Sequence, residues 1–205
     1  MIWIVAAIAV VGASSVGPIM SSNVEKAKYD VAEINGDIEI RDYAPMIVAE
    51  VQVSGERSES INQGFRLIAD YIFGNNAPAQ KIAMTAPVIQ QSSEKIAMTA
   101  PVIQQGNGKE WQVRFVMPTN YTLETLPKPN NNAVKLHEIA GKRFVVIEFS
   151  GIASTESLSS HTATLNEFIS SENLKPLSTP IFAFYNPPWT LPFLRRNEVM
   201  IEIAK

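Results

Sequence analysis

The sequence predicts an α+β protein: a distorted antiparallel β-barrel of two pseudo-symmetric β-β-α-β-β halves, with two helices packed outside it. Three observations carry that expectation. Short runs of period-two alternation recur along the chain, separated by Gly, Asn and Pro. Two longer segments place apolar residues at helical spacing instead. The element order also repeats, since Val53-Ser54-Gly55 and Phe149-Ser150-Gly151, 96 residues apart, each end a strand just before a helix. At 205 residues the chain is long enough for one well-buried domain and short for two.

In the first half, residues 29–34 and 37–43 flank Asn35-Gly36, the strongest short hairpin signal, and residues 46–53 follow as a third strand. Residues 58–73 read as a helix. Ser60 and Gln63 form a capping box, Ile61, Phe65, Ile68 and Ile72 make the apolar stripe, and Gly74 stops it. Residues 111–117 are a strand ended by Pro118. In the second half, residues 133–139 and 143–149 are strands around a turn at Ala140-Gly141, and residues 155–170 are a Ser-capped helix. Residues 181–185 and 199–203 are the last strands. The connection at 120–132, with Pro127, Pro129 and three consecutive asparagines, is a loop joining the halves.

One sequence occurs twice in tandem. Lys-Ile-Ala-Met-Thr-Ala-Pro-Val-Ile-Gln-Gln fills residues 81–91 and again 95–105, an offset of 14. An even offset keeps both copies in one strand phase, with Ile82, Met84, Ala86 and Val88 on one face and Ala83, Thr85 and Pro87 on the other. Each copy holds a proline, which cannot donate to a ladder and favours an edge or a bulge. Two arrangements fit: a protruding hairpin of the two copies turning near Ser92-Ser93, or one copy in the barrel and the other bulging from it.

Composition excludes several classes. A net charge of -3 without a run of Lys and Arg gives no electrostatic footprint for nucleic acid. The lack of cysteine removes disulfides, thiolate metal sites and cysteine haem ligands. Residues 2–20 form 19 positions without a charge, and the first charged side chain is Glu25. As a helix that segment would span roughly 28 Å, close to a bilayer core. A retained membrane anchor is expected, because no Lys or Arg precedes the apolar run. Cleavage as a signal segment after Ala13, or a buried or peripheral helix, are the alternatives. Residues 1–20 are thus an anchor or signal segment, 21–28 a tether and 29–205 the domain, which locates the protein at the membrane or in the periplasm or cell envelope.

No catalytic constellation stands out. His137 reads as a polar-face strand residue and His161 as a helix-surface residue, with no Asp or Glu at ligand spacing. There is no Gly-x-Ser-x-Gly elbow and no Gly-rich phosphate loop. Residues 187–196 do concentrate binding chemistry. Trp189 and Phe193 are large apolar groups in a proline-stiffened loop, followed by Arg195 and Arg196. That set suits a flat amphipathic ligand with acidic groups. It equally suits aromatic residues plugging a barrel end, with the arginines paired to Glu198 or nearby carboxylates.

The repeated Lys-Ile-Ala-Met-Thr-Ala-Pro-Val resembles the signature of the SOUL haem-binding family. Further segments resemble its motifs in family order: Tyr43-Ala44-Pro45, Phe73-Gly74-Asn75-Asn76, Phe115-Val116-Met117-Pro118, Phe149-Ser150-Gly151, Asn186-Pro187-Pro188-Trp189-Thr190 and Arg195-Arg196-Asn197-Glu198. The resemblance implies the same two-helix distorted barrel and a non-enzymatic protein that binds or carries a tetrapyrrole. It places the ligand between the first helix, at Phe65, Arg66 and Ala69, and the loop carrying Trp189, Phe193, Arg195 and Arg196. Positions that are basic in relatives fall on Asn62, Asp70 and Thr190, and the axial histidine of some animal members falls on Asp42. The implied cofactor is therefore haem or porphyrin, held weakly and without an iron–protein bond. A small-molecule effector-binding or protein-interaction module of the same fold is the alternative, and no protein partner is indicated.

Overall fold

The computed structural model describes residues 24–78, 93–106 and 108–205. The elements are β1 (Tyr29–Asn35), β2 (Ile38–Tyr43), β3 (Met46–Ser54), α1 (Arg57–Ile72), β4 (Asn76–Ala77), β5 (Val102–Gly106) and β6 (Glu110–Val116). They continue with β7 (Lys128–Pro129), β8 (Lys135–Ile139), β9 (Lys142–Phe149), α2 (Thr155–Ser171), β10 (Ile181–Phe184), a 3-10 turn at Pro192–Leu194 and β11 (Asn197–Ile203). Among the described residues nine strands form one antiparallel sheet in the order β1-β2-β9-β11-β10-β5-β6-β3-β8, and β4 pairs with β7. The sheet curls into a half-barrel with β1 and β8 as its edges and both helices on its convex side, so the distorted α+β barrel expected from the sequence is the fold.

The order shows how the halves interlock. β5 and β10 meet at the centre, flanked by β6-β3 on one side and β11-β9 on the other. The strand that precedes each of these sets crosses over: β2 pairs with β9, and β8 pairs with β3. The turn at Ala140-Gly141 therefore joins two strands that part company, unlike the true hairpin at Asn35-Gly36. Gly141 is there for a close approach, since a Cβ would lie 2.9 Å from the Tyr43 carbonyl oxygen. The two glycines that relate the halves, Gly55 and Gly151, hold φ of 122° and 99°, a left-handed conformation that glycine adopts at least cost.

Alternation divides the core into layers. Ala49, Val51 and Val53 of β3 and Trp111, Val113 and Phe115 of β6 face α1, while Val145, Ile147, Val199, Ile201 and Ile203 face α2. Burying Ile68 and Ile72 of α1, or Leu165 and Ile169 of α2, contributes about 1.5–3 kcal/mol per side chain. The buried face of α1 is rotated from the expected stripe, running through Ser60, Gly64, Ile68, Tyr71 and Ile72. Gly64 permits this, since a Cβ there would lie 2.7 Å from Val113 Cγ2. The expected capping box does not form: α1 starts at Arg57 after Glu56, and Ser60 lies buried inside the helix. Helix α2 is capped as expected, with the Ser154 hydroxyl accepting from Ser157 N at 3.2 Å.

The second copy of the repeat is built into the sheet. Val102–Gly106 has β6 on one side and β10 on the other, so both of its ladder edges are occupied. The strand phase expected for that copy fails upstream, where Ile96, Thr99, Ala100 and Pro101 are buried without alternation and residues 93–99 are not a strand. The first copy and the expected hairpin turn at Ser92 lie outside the described residues, as does the uncharged segment 2–20. Among the described residues no helix is long and apolar enough to cross a membrane. Residues 25–28, read as tether, belong to the fold: Ala100 N donates to Glu25 O at 2.8 Å and Ala27 N to Ala100 O at 3.0 Å.

Candidate functional site

The concave face of the half-barrel carries the side chains that alternation turns away from the helices. Its apolar part comprises Tyr43, Phe144, Val146, Ile181, Ala183 and Met200, with Ile103 and Met46 packed against them. The Tyr43 ring meets Phe144 edge-on at 5.5 Å. Over this floor opens a cavity of about 390 Å³. Its polar wall comes from Gln105, Arg114, His137, Glu138, Lys142 and Glu202. Arg114 Nε donates to Glu50 Oε2 at 2.6 Å, His137 Nε2 lies 3.6 Å from the same oxygen, and Lys142 Nζ donates to Glu202 Oε2 at 2.7 Å. A second cavity of about 380 Å³ adjoins it, the two sharing Ala27, Met46 and Glu138.

Deeper in the same face lies a buried ionic knot. Glu198 Oε1 accepts from Arg41 Nη1 at 2.8 Å and Arg196 Nη2 at 2.5 Å, and Oε2 accepts from Tyr185 OH at 2.9 Å. Tyr29 closes it, its hydroxyl accepting from Arg196 Nη2 at 3.1 Å while its ring underlies the Arg41 guanidinium. Burial, followed by the Glu198 charge, pushes the Tyr185 and Tyr43 hydroxyls well above the usual phenol range. Both remain protonated across the physiological range.

The residues nominated from the sequence fall elsewhere and do different things. Trp189 is 79 % and Phe193 69 % exposed, so neither plugs a barrel end. Arg195 is spent on its own loop, donating from Nε to Thr190 O at 2.8 Å and from Nη2 to Pro188 O at 2.5 Å. Arg196 belongs to the Glu198 knot. On α1, Phe65 packs on Phe115 at 5.2 Å, Ala69 is buried, and Arg66 lines a shallow surface depression with Glu59, Asn62 and Gln63. The two cavities of the concave face are lined by neither group. Asp42 accepts both Nε and Nη2 of Arg143, at 3.0 and 2.6 Å, and that hydrogen bonding holds its carboxyl below the usual range. His161 is stacked on Phe149 at 3.9 Å with Nδ1 2.7 Å from Ser157 O, whereas His137 faces the cavity.

Sequence reasoning missed Tyr43, Ile103, Arg114, His137, Lys142, Phe144 and Met200 as site residues. The available signal was period two itself: each strand facing a helix has a second set, and curling the sheet brings those sets together. Arg114 and Glu50 at alternate positions look like a solvated face until the sheet bends over them.

The molecule is thus a curled antiparallel sheet backed by two helices, with an amphipathic cup on its concave face. The family model described as SOUL heme-binding protein matches residues 24–95 and 90–202, and the chain belongs to that family. The two matches overlap at residues 90–95, inside the duplicated segment. None of the curated proteins matches the chain. Among solved structures it is similar to the EcmrR C-terminal domain, at 11% identity and TM-score 0.57, covering 86% of this chain and 98% of that one. A hydrolase from Listeria innocua aligns at 12% identity and TM-score 0.53 over 84% of this chain and 94% of that one. In a cryo-EM structure of an EcmrR-DNA complex, EcmrR aligns at 13% identity and TM-score 0.57, over 82% of this chain and 57% of that one. At these identities the likeness is one of fold.

Proposed function

We propose that the chain is a non-enzymatic tetrapyrrole-binding protein whose ligand sits in the concave cup. Family membership supports the ligand class. The observation that carries the location is the pairing of an apolar floor (Tyr43, Ile103, Phe144, Ile181 and Met200) with Arg114, His137 and Lys142 along one wall of a cavity of about 390 Å³. These residues fit the chemistry of a porphyrin: a flat apolar face buried against the floor, and carboxylates meeting cationic donors. The exposed loop at Trp189 lines neither cavity of the concave face. Asp42, at the position of the axial histidine in some relatives, is occupied by Arg143, so recognition rests on the macrocycle and its carboxylates and not on iron.

Titration of the purified chain with hemin and with metal-free protoporphyrin tests this. One ligand per chain with micromolar affinity is expected, and the metal-free porphyrin should bind about as well. Removing a charge-assisted contact costs about 1.5–3 kcal/mol, so His137→Ala with Lys142→Ala should weaken binding at least tenfold. Unchanged affinity in that variant would move the site elsewhere. A strong hemin preference abolished by His137→Ala would show iron coordination. The balanced charge of the cup, where Glu50 and Glu202 pair with the cations, favours one second reading: a module of the same fold that binds a different flat amphipathic effector.

A further inference from the structure

The connection between β10 and β11 is longer than the fold needs, and its pseudo-symmetric counterpart shows by how much. β5 and β6 are joined by three residues, 107–109, whereas β10 and β11 are joined by twelve, 185–196. Both connections close on the same contact: Gly55 N donates to Lys109 O at 2.9 Å, and Gly151 N donates to Pro192 O at 2.8 Å. The extra length is a braced excursion. Thr190 N donates to Pro187 O, Leu194 N to Leu191 O, and Arg196 N to the Asn186 side chain at 2.7 Å, while the Arg195 guanidinium takes two further carbonyls. With its backbone satisfied internally, the loop turns apolar side chains outward. Leu191 is 56 %, Leu194 61 % and, beside Gly151, Ile152 65 % exposed, in addition to Trp189 and Phe193. Residues 185–194 contain no charged side chain. A braced, uncharged patch of five large apolar groups is an interaction surface.

We propose that this loop is a membrane-docking element that seats the domain against a phospholipid bilayer. Trp, Phe and Leu on an uncharged tip match the interfacial zone of a bilayer, and because the two arginines that close the loop are bonded within the protein, zwitterionic lipid suffices. The chain's own path favours this occupant over a protein partner. It enters the fold beside Ala100, which bonds the Glu25 carbonyl, and Ala100 lies two residues before Val102, the partner of Phe184 at the base of the loop. Met20, the last residue of the uncharged run, is four residues before Val24, a reach of at most ~14 Å. An apolar segment in the bilayer and the apolar loop thus address the same membrane from neighbouring points, and the short link gives the loop a high effective concentration at the surface.

The chain has no cysteine, so a single introduced one reports alone. Full-length chain carrying Thr190→Cys with a nitroxide label is reconstituted in phosphatidylcholine vesicles, and Ser58→Cys at the start of α1 serves as the control. Depth is read from relaxation by oxygen against a water-soluble nickel chelate. The label at 190 should be oxygen-accessible and chelate-protected, and the label at 58 the reverse. Adding Trp189→Ser and Phe193→Ser should return the 190 label to water while hemin affinity stays unchanged. A label at 190 that is chelate-accessible from the outset overturns the proposal, as does failure of the chain to associate with the vesicles. Loss of hemin binding in the double variant, with the label still at its original depth, would assign the loop to the tetrapyrrole and overturn the cup as its site.

Discussion

Glu198 is the residue on which the concave face turns. It is fully buried, and its two carboxylate oxygens answer Arg41, Arg196 and Tyr185. Burial works against the Arg41 cation, and the Glu198 carboxylate more than offsets it, so Arg41 stays charged. A buried pair contributes little net stability compared with an apolar substitute, but removing one partner strands the other. Glu198→Ala leaves Arg41 without its buried counter-ion and should cost about 3–5 kcal/mol. The check is a lower urea midpoint with an unchanged slope; a loss of unfolding free energy, slope times midpoint shift, under half that cost would show that Glu39 and Glu148, which also approach Arg41, suffice. The Arg196–Glu198 pair is one of the two arrangements the sequence offered for residues 187–196, but the Arg41 arm was not readable, since Arg41 sits in an alternating strand that looks half solvated. The meeting of Arg41 with Glu198 spans 157 positions, and only the crossover of β2 onto β9 brings them together.

At the scale of elements, the duplicated segment is the informative case. The two family matches overlap inside it, at residues 90–95, and the second copy already fills the slot between β6 and β10. Deleting residues 81–94 joins residue 80 to the intact second copy, whose Lys95–Gln105 sequence repeats what was removed. The deletion variant should therefore keep cooperative thermal unfolding and the circular dichroism of an α+β domain; loss of cooperativity would show that both copies are structural. Helix positions were legible to within a residue or two, because 3.6-residue periodicity is local. The α1 stripe came out rotated because Gly64 lets the helix axis settle close to Val113 and Val51, a contact decided by the sheet.

For the whole molecule, the expectation is a domain held at a membrane by residues 2–20 and facing outward. Cell fractionation with protease accessibility and the mass of the mature chain should find full-length, membrane-associated protein with an external protease-sensitive domain. A chain beginning near Ser14 in the soluble periplasmic fraction would establish cleavage, and a cytosolic full-length protein would sink the idea. The docking loop adds a directional expectation, because a domain braced at two points presents one constant side to the membrane.

What the sequence determined by itself was everything carried by local pattern or motif: strands from period two, the hairpin from Asn35-Gly36, both helices, the repeat and the family. It also marked residues 187–196 as a special loop. The tertiary structure decided what that loop and its arginines do, because whether Arg195 meets a ligand or its own carbonyls depends on a backbone path that no spacing encodes. It decided the cup as well. Tyr43, Arg114, His137, Phe144 and Met200 come from five strands in both halves, and their convergence exists only once the sheet curls and the halves exchange β2 and β8. Alternation specifies two faces for every strand, but which face becomes concave is set by twist and pairing order, properties of the sheet as a whole.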